Sequence, residues 1–130
     1  DPECQVLLNL LDSDFYQICL DTINEKSYNI KWKENMYASN VVLSHNNYPI
    51  IKSKKLLQIK IDNIDKDIKL YYGNVLRKGN KLYTTGGRVF SVVNCNRNVF
   101  ISFNDIFNNI DSGKHKKCVH KNPTQNHSSS

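Results

Sequence analysis

The sequence predicts an α+β domain, and two changes of period carry that expectation. Apolar residues run at helical spacing up to about residue 24, alternate at period two from about residue 30, and return to a short helical pattern after residue 100. Helices gathered at the ends of a run of short, turn-linked strands describe a mostly antiparallel sheet with helices laid against it.

The first element, residues 5–24, sets Leu7, Leu8, Leu11, Phe15, Ile18 and Cys19 on one face. "LDSD" interrupts it, so either two short helices or one kinked helix is expected. Asp12 or Ser13 is available as the second cap, and Gln17 supports the first turn. "IKWKE" (30–34) then alternates as a half-buried strand should, and "YASNVVLS" (37–44) is a second, more apolar strand. "HNNYPII" is turn chemistry. "LLQIKI" (56–61) and "IKLYYGNV" (68–75) are further strands, and "RKGN" is a hairpin signal leading into Lys81 to Thr85. After Gly86-Gly87, "RVFSVV" resumes the strand pattern. "SFNDIFNNI" (102–110) reads as a helix of about two turns, with Ser102 as N-cap and Asp105 three residues on. From 112 the chain is rich in Lys, His and Ser without periodicity, the composition of a disordered basic tail.

A chain of 130 residues with 39% apolar residues fits one compact domain. No window reaches the roughly 18 apolar residues of a membrane span. The opening "DPECQVLLNLL" has no initiating Met and no signal-peptide regions, which suggests a piece of something longer. The net charge of +6 comes from 18 basic and 12 acidic residues, but the basic ones are scattered Lys with three Arg. Phosphate tracking favours a contiguous stripe and base readout favours Arg, so a nucleic-acid partner is disfavoured. Cys4, Cys19, Cys95 and Cys118 form no Cys-x-x-Cys pair, which argues against zinc and for reduced thiols in a cytoplasmic protein. No metal site is expected from these residues.

Within "KLYTTGGRVFSVV" (81–93) a Gly pair breaks a strand, and Arg88 follows it. Such a pair marks a bulge, a bend or a close backbone approach. It can equally let backbone N–H groups near a phosphate, for which Arg offers a planar fork of donors. Both readings stand on the sequence.

Three segments, in order, resemble the phosphoribosylamine–glycine ligases. "DPECQVLLNLLDSDFYQ" is similar to that family's Asp-Pro-Glu-x-Gln…Leu-Leu-x-Ser-Asp-Leu, and "YASNVVLSHNNYP" to its apolar strand ending in Gly-Tyr-Pro. "IKLYYGNV…GNKLYTTGGRVFSVV" is similar to its Val-Phe-His-Ala-Gly-Thr…Thr-x-Gly-Gly-Arg-Val-Leu-x-Val. The resemblance covers about residues 1 to 110. Asn47 and Asn74 stand where the family has Gly and Thr.

The resemblance implies the end of an ATP-grasp region over 1–26, the ligase's carboxy-terminal α+β domain over 27–111, and the tail over 112–130. The family joins glycine to 5-phosphoribosylamine in purine biosynthesis, converting ATP to ADP and phosphate through glycyl phosphate. Its ATP and Mg²⁺ are bound mainly by an upstream ATP-grasp domain, so the isolated chain is expected to be inactive. By resemblance Asp1 and Glu3 lie at the edge of the catalytic site, where a carboxylate can hold the ammonium of glycine or take a proton. Capping the first helix is the structural alternative for them. Gly86, Gly87 and Arg88 are the candidate substrate-binding residues, for the ribose phosphate. A degenerate, non-catalytic domain acting as a binding module is the alternative function.

Overall fold

A computed structural model describes residues 2–46, 48–49, 56–61, 64–112 and 119–121. Helix α1 spans Glu3–Leu10 with Pro2 at the N-cap position and no side-chain cap. Asp1 lies outside the described residues. After a turn the chain restarts as α2, Phe15–Ile23. Its cap is Asp14, not Asp12 or Ser13. The Asp14 Oδ1 accepts the Gln17 N–H at 3.1 Å, as a carboxylate just before the first turn should. Ser13 is engaged elsewhere, its hydroxyl accepting the Lys31 amide at 2.8 Å.

The strand expected at 30–34 does not form. Trp32 makes a single bridge to Leu11, flanked by the Asp12 N–H on the Lys31 carbonyl (3.0 Å) and the Lys33 N–H on the Leu10 carbonyl (2.9 Å). The turn between α1 and α2 offers too little extended backbone for a ladder. Ile30 and Trp32, the supposed buried face, are exposed.

The main sheet is built on β1 (Tyr37–His45), β3 (Ile68–Tyr72), β6 (Arg88–Asn96) and β7 (Val119–Lys121), in the order β3-β6-β1-β7. All its pairings are antiparallel. A smaller antiparallel sheet holds β2 (Leu57–Ile59), β4 (Leu76–Lys78) and β5 (Lys81–Thr84), in the order β2-β5-β4. The tail expected to be unstructured over 112–130 therefore contributes a strand at Val119–Lys121. Residues 113–118 and 122–130 lie outside the described ones.

Helix α3 spans Val99–Ser112, about four turns rather than two. Its cap is Asn98, whose Oδ1 accepts from the N–H groups of Phe100 (2.9 Å) and Ile101 (3.3 Å). Ser102 is not the cap. It sits one turn inside, fully buried, and donates its hydroxyl to the Asn94 carbonyl at 2.8 Å. That bond draws α3 back onto the strand it has just left.

Strand β6 is covered on both faces. Successive residues of a strand point to opposite sides. The Asn94 side chain meets Asp105 of α3 at 3.0 Å, whereas the Cys95 sulfur faces the Asn9 carbonyl of α1 at 3.9 Å. Burial on both sides explains the nearly unbroken apolar run Val89, Phe90, Val92 and Val93. On the α3 side, Ile106 packs with Val41, Leu43, Ile68, Phe90 and Val92, and Ile59 and Leu82 of the small sheet complete the cluster.

Ile106 is fully buried and Phe100, on the same helix, is 77% exposed. Ile106→Ala should therefore cost about 2–5 kcal/mol in urea unfolding, while Phe100→Ala should stay within about 0.5 kcal/mol. Equal effects would show that α3 is not docked through this face.

Candidate functional site

Strands β3, β4, β5 and β6 are one long hairpin bent through both sheets. Its tip closes at Lys78↔Lys81 around Gly79 and Asn80, and its arms pair as Leu76↔Tyr83 in the small sheet and Tyr72↔Phe90 in the large one. Between those two pairs lie residues 73–75 on one arm and 84–89 on the other. The second arm thus carries three extra residues through the bend. Two of them are Gly86 (φ 121°) and Gly87 (φ 75°), in backbone regions that favour glycine. The register of β1 against β6 also slips here, with Leu43 opposite Phe90 but Ser44 opposite Arg88. The Gly pair marks the corner at which the chain leaves one sheet and enters the other.

The corner's three carbonyls are held by two residues, His45 and Asn74. The Gly87 carbonyl accepts the His45 N–H at 2.9 Å, and the Arg88 carbonyl accepts the Asn74 N–H at 2.8 Å. The Gly86 carbonyl accepts the side-chain amide of Asn74, which also reaches the Thr85 hydroxyl at 3.0 Å. Inside the corner, the buried Thr84 hydroxyl accepts the Gly86 N–H at 3.1 Å. The opposite arm comes so near that a Cβ on Gly73 would stand 2.5 Å from the Arg88 carbonyl oxygen.

This geometry sorts the candidate residues. Gly86 is buried and its N–H serves the corner itself, Gly87 is half-buried, and Arg88 is exposed. What faces outward is therefore Gly87 and the Arg88 side chain. Glu3 is exposed in the first turn of α1. That end of α1 is tied to β1 by Asn40, whose Nδ2 donates to the Pro2 carbonyl at 3.3 Å. Asn40 and Ser44, the partner of Arg88, are four residues apart on β1, roughly 13 Å of strand. The two candidate sets thus lie at separate stations along one strand.

Several residues that shape this region are not among the candidates the sequence offers. The strand expected over 68–75 ends at Tyr72, and Gly73-Asn74 after it is turn chemistry, the signal in the sequence that points to Asn74. Asn9 lies within an apolar helical run, yet it is only 2% exposed. Its Nδ2 donates to the Tyr71 hydroxyl at 2.7 Å, its Oδ1 accepts Lys69 Nζ at 2.6 Å, and its carbonyl accepts Lys33 Nζ at 2.9 Å. It fastens α1 to the sheet. Tyr72 packs edge-on against Phe90 with ring centroids 5.3 Å apart.

Among the described residues, no three His, Cys, Asp or Glu side chains come together as a metal-binding group. Cys4, Cys19 and Cys95 are free thiols, and no described helix is long and apolar enough to cross a membrane.

Fold and corner together define an α+β domain organised around a bent hairpin. Comparison with known proteins makes this more particular. The chain is 30% identical, over 115 residues covering 85% of its length, to the phosphoribosylamine–glycine ligase of Fusobacterium nucleatum. It is 35% identical over 98 residues, 71% of its length, to a trifunctional purine biosynthetic protein of Gallus gallus. It is also 35% identical over 98 residues, 70% of its length, to a bifunctional purine biosynthetic protein of Dictyostelium discoideum. No family model matches the chain. The chain is a homologue of the phosphoribosylamine–glycine ligases over most of its own length, and it spans 27% of the Fusobacterium ligase, 12% of the Dictyostelium protein and 10% of the Gallus one.

The close approach at the bend has a direct consequence. Gly73→Ala should destabilise the chain by about 1–3 kcal/mol in chemical denaturation, because the obstacle is backbone and cannot rotate away. An unchanged midpoint would mean that the two arms separate at residue 73 without cost.

Proposed function

We propose that this chain is the carboxy-terminal part of a phosphoribosylamine–glycine ligase, which joins glycine to 5-phosphoribosylamine with conversion of ATP to ADP and phosphate. The observation that carries the reading is homology to ligases of this name along 85% of the chain, through the segment that forms the Gly corner. In this reading residues 1–26 are the last edge of an ATP-grasp region and 27–111 the ligase's terminal domain. An upstream ATP-grasp domain binds ATP and Mg²⁺, and the enzyme works in the cytoplasm.

The contribution of this chain is to hold substrate. The guanidinium of Arg88 presents paired N–H donors suited to the oxygens of a ribose phosphate, and such charge-assisted pairs are stronger than neutral ones. Gly87 beside it carries no side chain, so a phosphate can approach the backbone. Glu3, and Asp1 two residues before it, are proposed as the carboxylates that hold the ammonium of glycine or accept a proton from the attacking amine. Glu3 is exposed in the first turn of α1, which leaves its carboxylate at the surface. Phe15, Tyr16, Ile23 and Trp32 are exposed apolar side chains that suit contact with the upstream domain.

In the full-length ligase, Arg88→Ala should raise the KM for phosphoribosylamine by roughly ten- to a hundredfold, the loss of a charged hydrogen-bonded pair. The KM values for glycine and ATP should hold. Unchanged kinetics with a lowered melting temperature would overturn the phosphate role and leave Arg88 as part of the strand bend.

A further inference from the structure

We propose that Asn74 is a positioning residue for this site, one that acts on the ligand through Gly86, Gly87 and Arg88; the proposal rests on the ribose-phosphate role given to Arg88 above. Asn74 grips the corner on both sides of Gly87. Its side-chain amide donates to the Gly86 carbonyl, and its backbone N–H donates to the Arg88 carbonyl at 2.8 Å. The same amide group reaches the Thr85 hydroxyl at 3.0 Å. One residue of the first arm thus holds the peptide plane between Gly86 and Gly87 and the one that follows Arg88, while His45 holds the plane between them.

Such a grip is needed because of the glycines. Gly86 and Gly87 sit at φ 121° and 75°, where glycine alone is unstrained, and glycine is also the residue with most freedom to leave a given conformation. Backbone sterics do not hold them there, so hydrogen bonds from neighbours must. Thr84 closes the inner side through the Gly86 N–H at 3.1 Å, and His45 holds the Gly87 carbonyl at 2.9 Å. The side chain of Asn74 spans from the opposite arm and sets how far the corner turns before Arg88 begins β6. The direction in which the Arg88 side chain leaves the sheet follows from that turn. Asn74 is itself exposed, so its amide contributes to the corner and not to the apolar core.

The test uses the full-length ligase with Asn74→Ala, Asn74→Ser, Arg88→Ala and the Asn74→Ala/Arg88→Ala double variant. Asn74→Ala should raise the KM for phosphoribosylamine by roughly three- to tenfold, the loss of about one hydrogen bond's worth of positioning. The kcat at saturation and the KM for glycine should stay unchanged. Asn74→Ser, which retains a donor, should recover part of the loss. In the Arg88→Ala background, Asn74→Ala should add no further increase, because the group it positions is gone. A KM unchanged by Asn74→Ala, an effect repeated in full without Arg88, or a fall in kcat that tracks a lowered melting temperature would each overturn the positioning role. If Arg88→Ala itself leaves the KM unaltered, the phosphate reading has failed instead. The two failures are therefore distinguishable. Should Asn74→Ala not fold, the comparison of Asn74→Ser with the unaltered enzyme gives the same readout, with unchanged KM again overturning the role.

Discussion

The close approach of the two hairpin arms at the Arg88 carbonyl governs the rest of the structure. The hairpin must pass from the small sheet to the large one, and the arms can bend together only where one of them has no side chain in the way. Gly73 supplies that gap, since a Cβ there would overlap the carbonyl oxygen. The other arm takes up the difference in path length with three additional residues, and its Gly pair absorbs the backbone angles this requires. Once the bend is made, β6 runs down the middle of the main sheet, with α1 on one face and α3 on the other. The core then follows, because β6 contributes Val89, Phe90 and Val92 to the cluster that Ile106 closes.

The two faces of the sheet are held by different chemistry. The α3 side is mostly apolar, with the Asn94 contacts to Ser102 and Asp105 at its edge, and packing of branched side chains supplies most of its stabilisation. The α1 side is fastened by hydrogen bonds centred on Asn9, including two from lysine ammonium groups. A polar attachment fixes orientation well, since a shift of the helix would leave buried donors and acceptors unpaired. The helix whose first turn carries Glu3 is thereby fastened to the sheet in which β6 begins at Arg88.

The α+β class, the two opening helices, β1, the hairpin tip and β6 were all legible, because each rests on a local period or a turn signal that tertiary packing did not contradict. The errors have local physical causes. "IKWKE" alternates like a strand, but its neighbour is the turn between α1 and α2, so Trp32 gains one bridge and stays exposed. Ser102 looks like a helix cap by type, yet Asn98 is nearer the true start and leaves the Ser102 hydroxyl free to meet Asn94. At the candidate site the Gly pair was visible as a bend, and the structure identifies it as a corner between sheets. The grip of Asn74 was not visible, because it depends on which residue of the opposite arm faces the corner. That is set by the uneven arm lengths, and a single strand pattern does not contain them.

The central claim is that a backbone corner, shaped by the bent hairpin, presents Arg88 to a sugar phosphate. The most direct measurement is a titration of the ¹⁵N-labelled chain with ribose 5-phosphate, followed by amide chemical shifts and the Arg88 side-chain Nε–H signal. The account predicts saturable shifts at Gly87 and Arg88 that spread to Asn74 and His45, with the amides around Ile106 unmoved. Shifts confined to the lysine-rich segments 52–55 and 114–121, or none at the corner up to millimolar ligand, would contradict it.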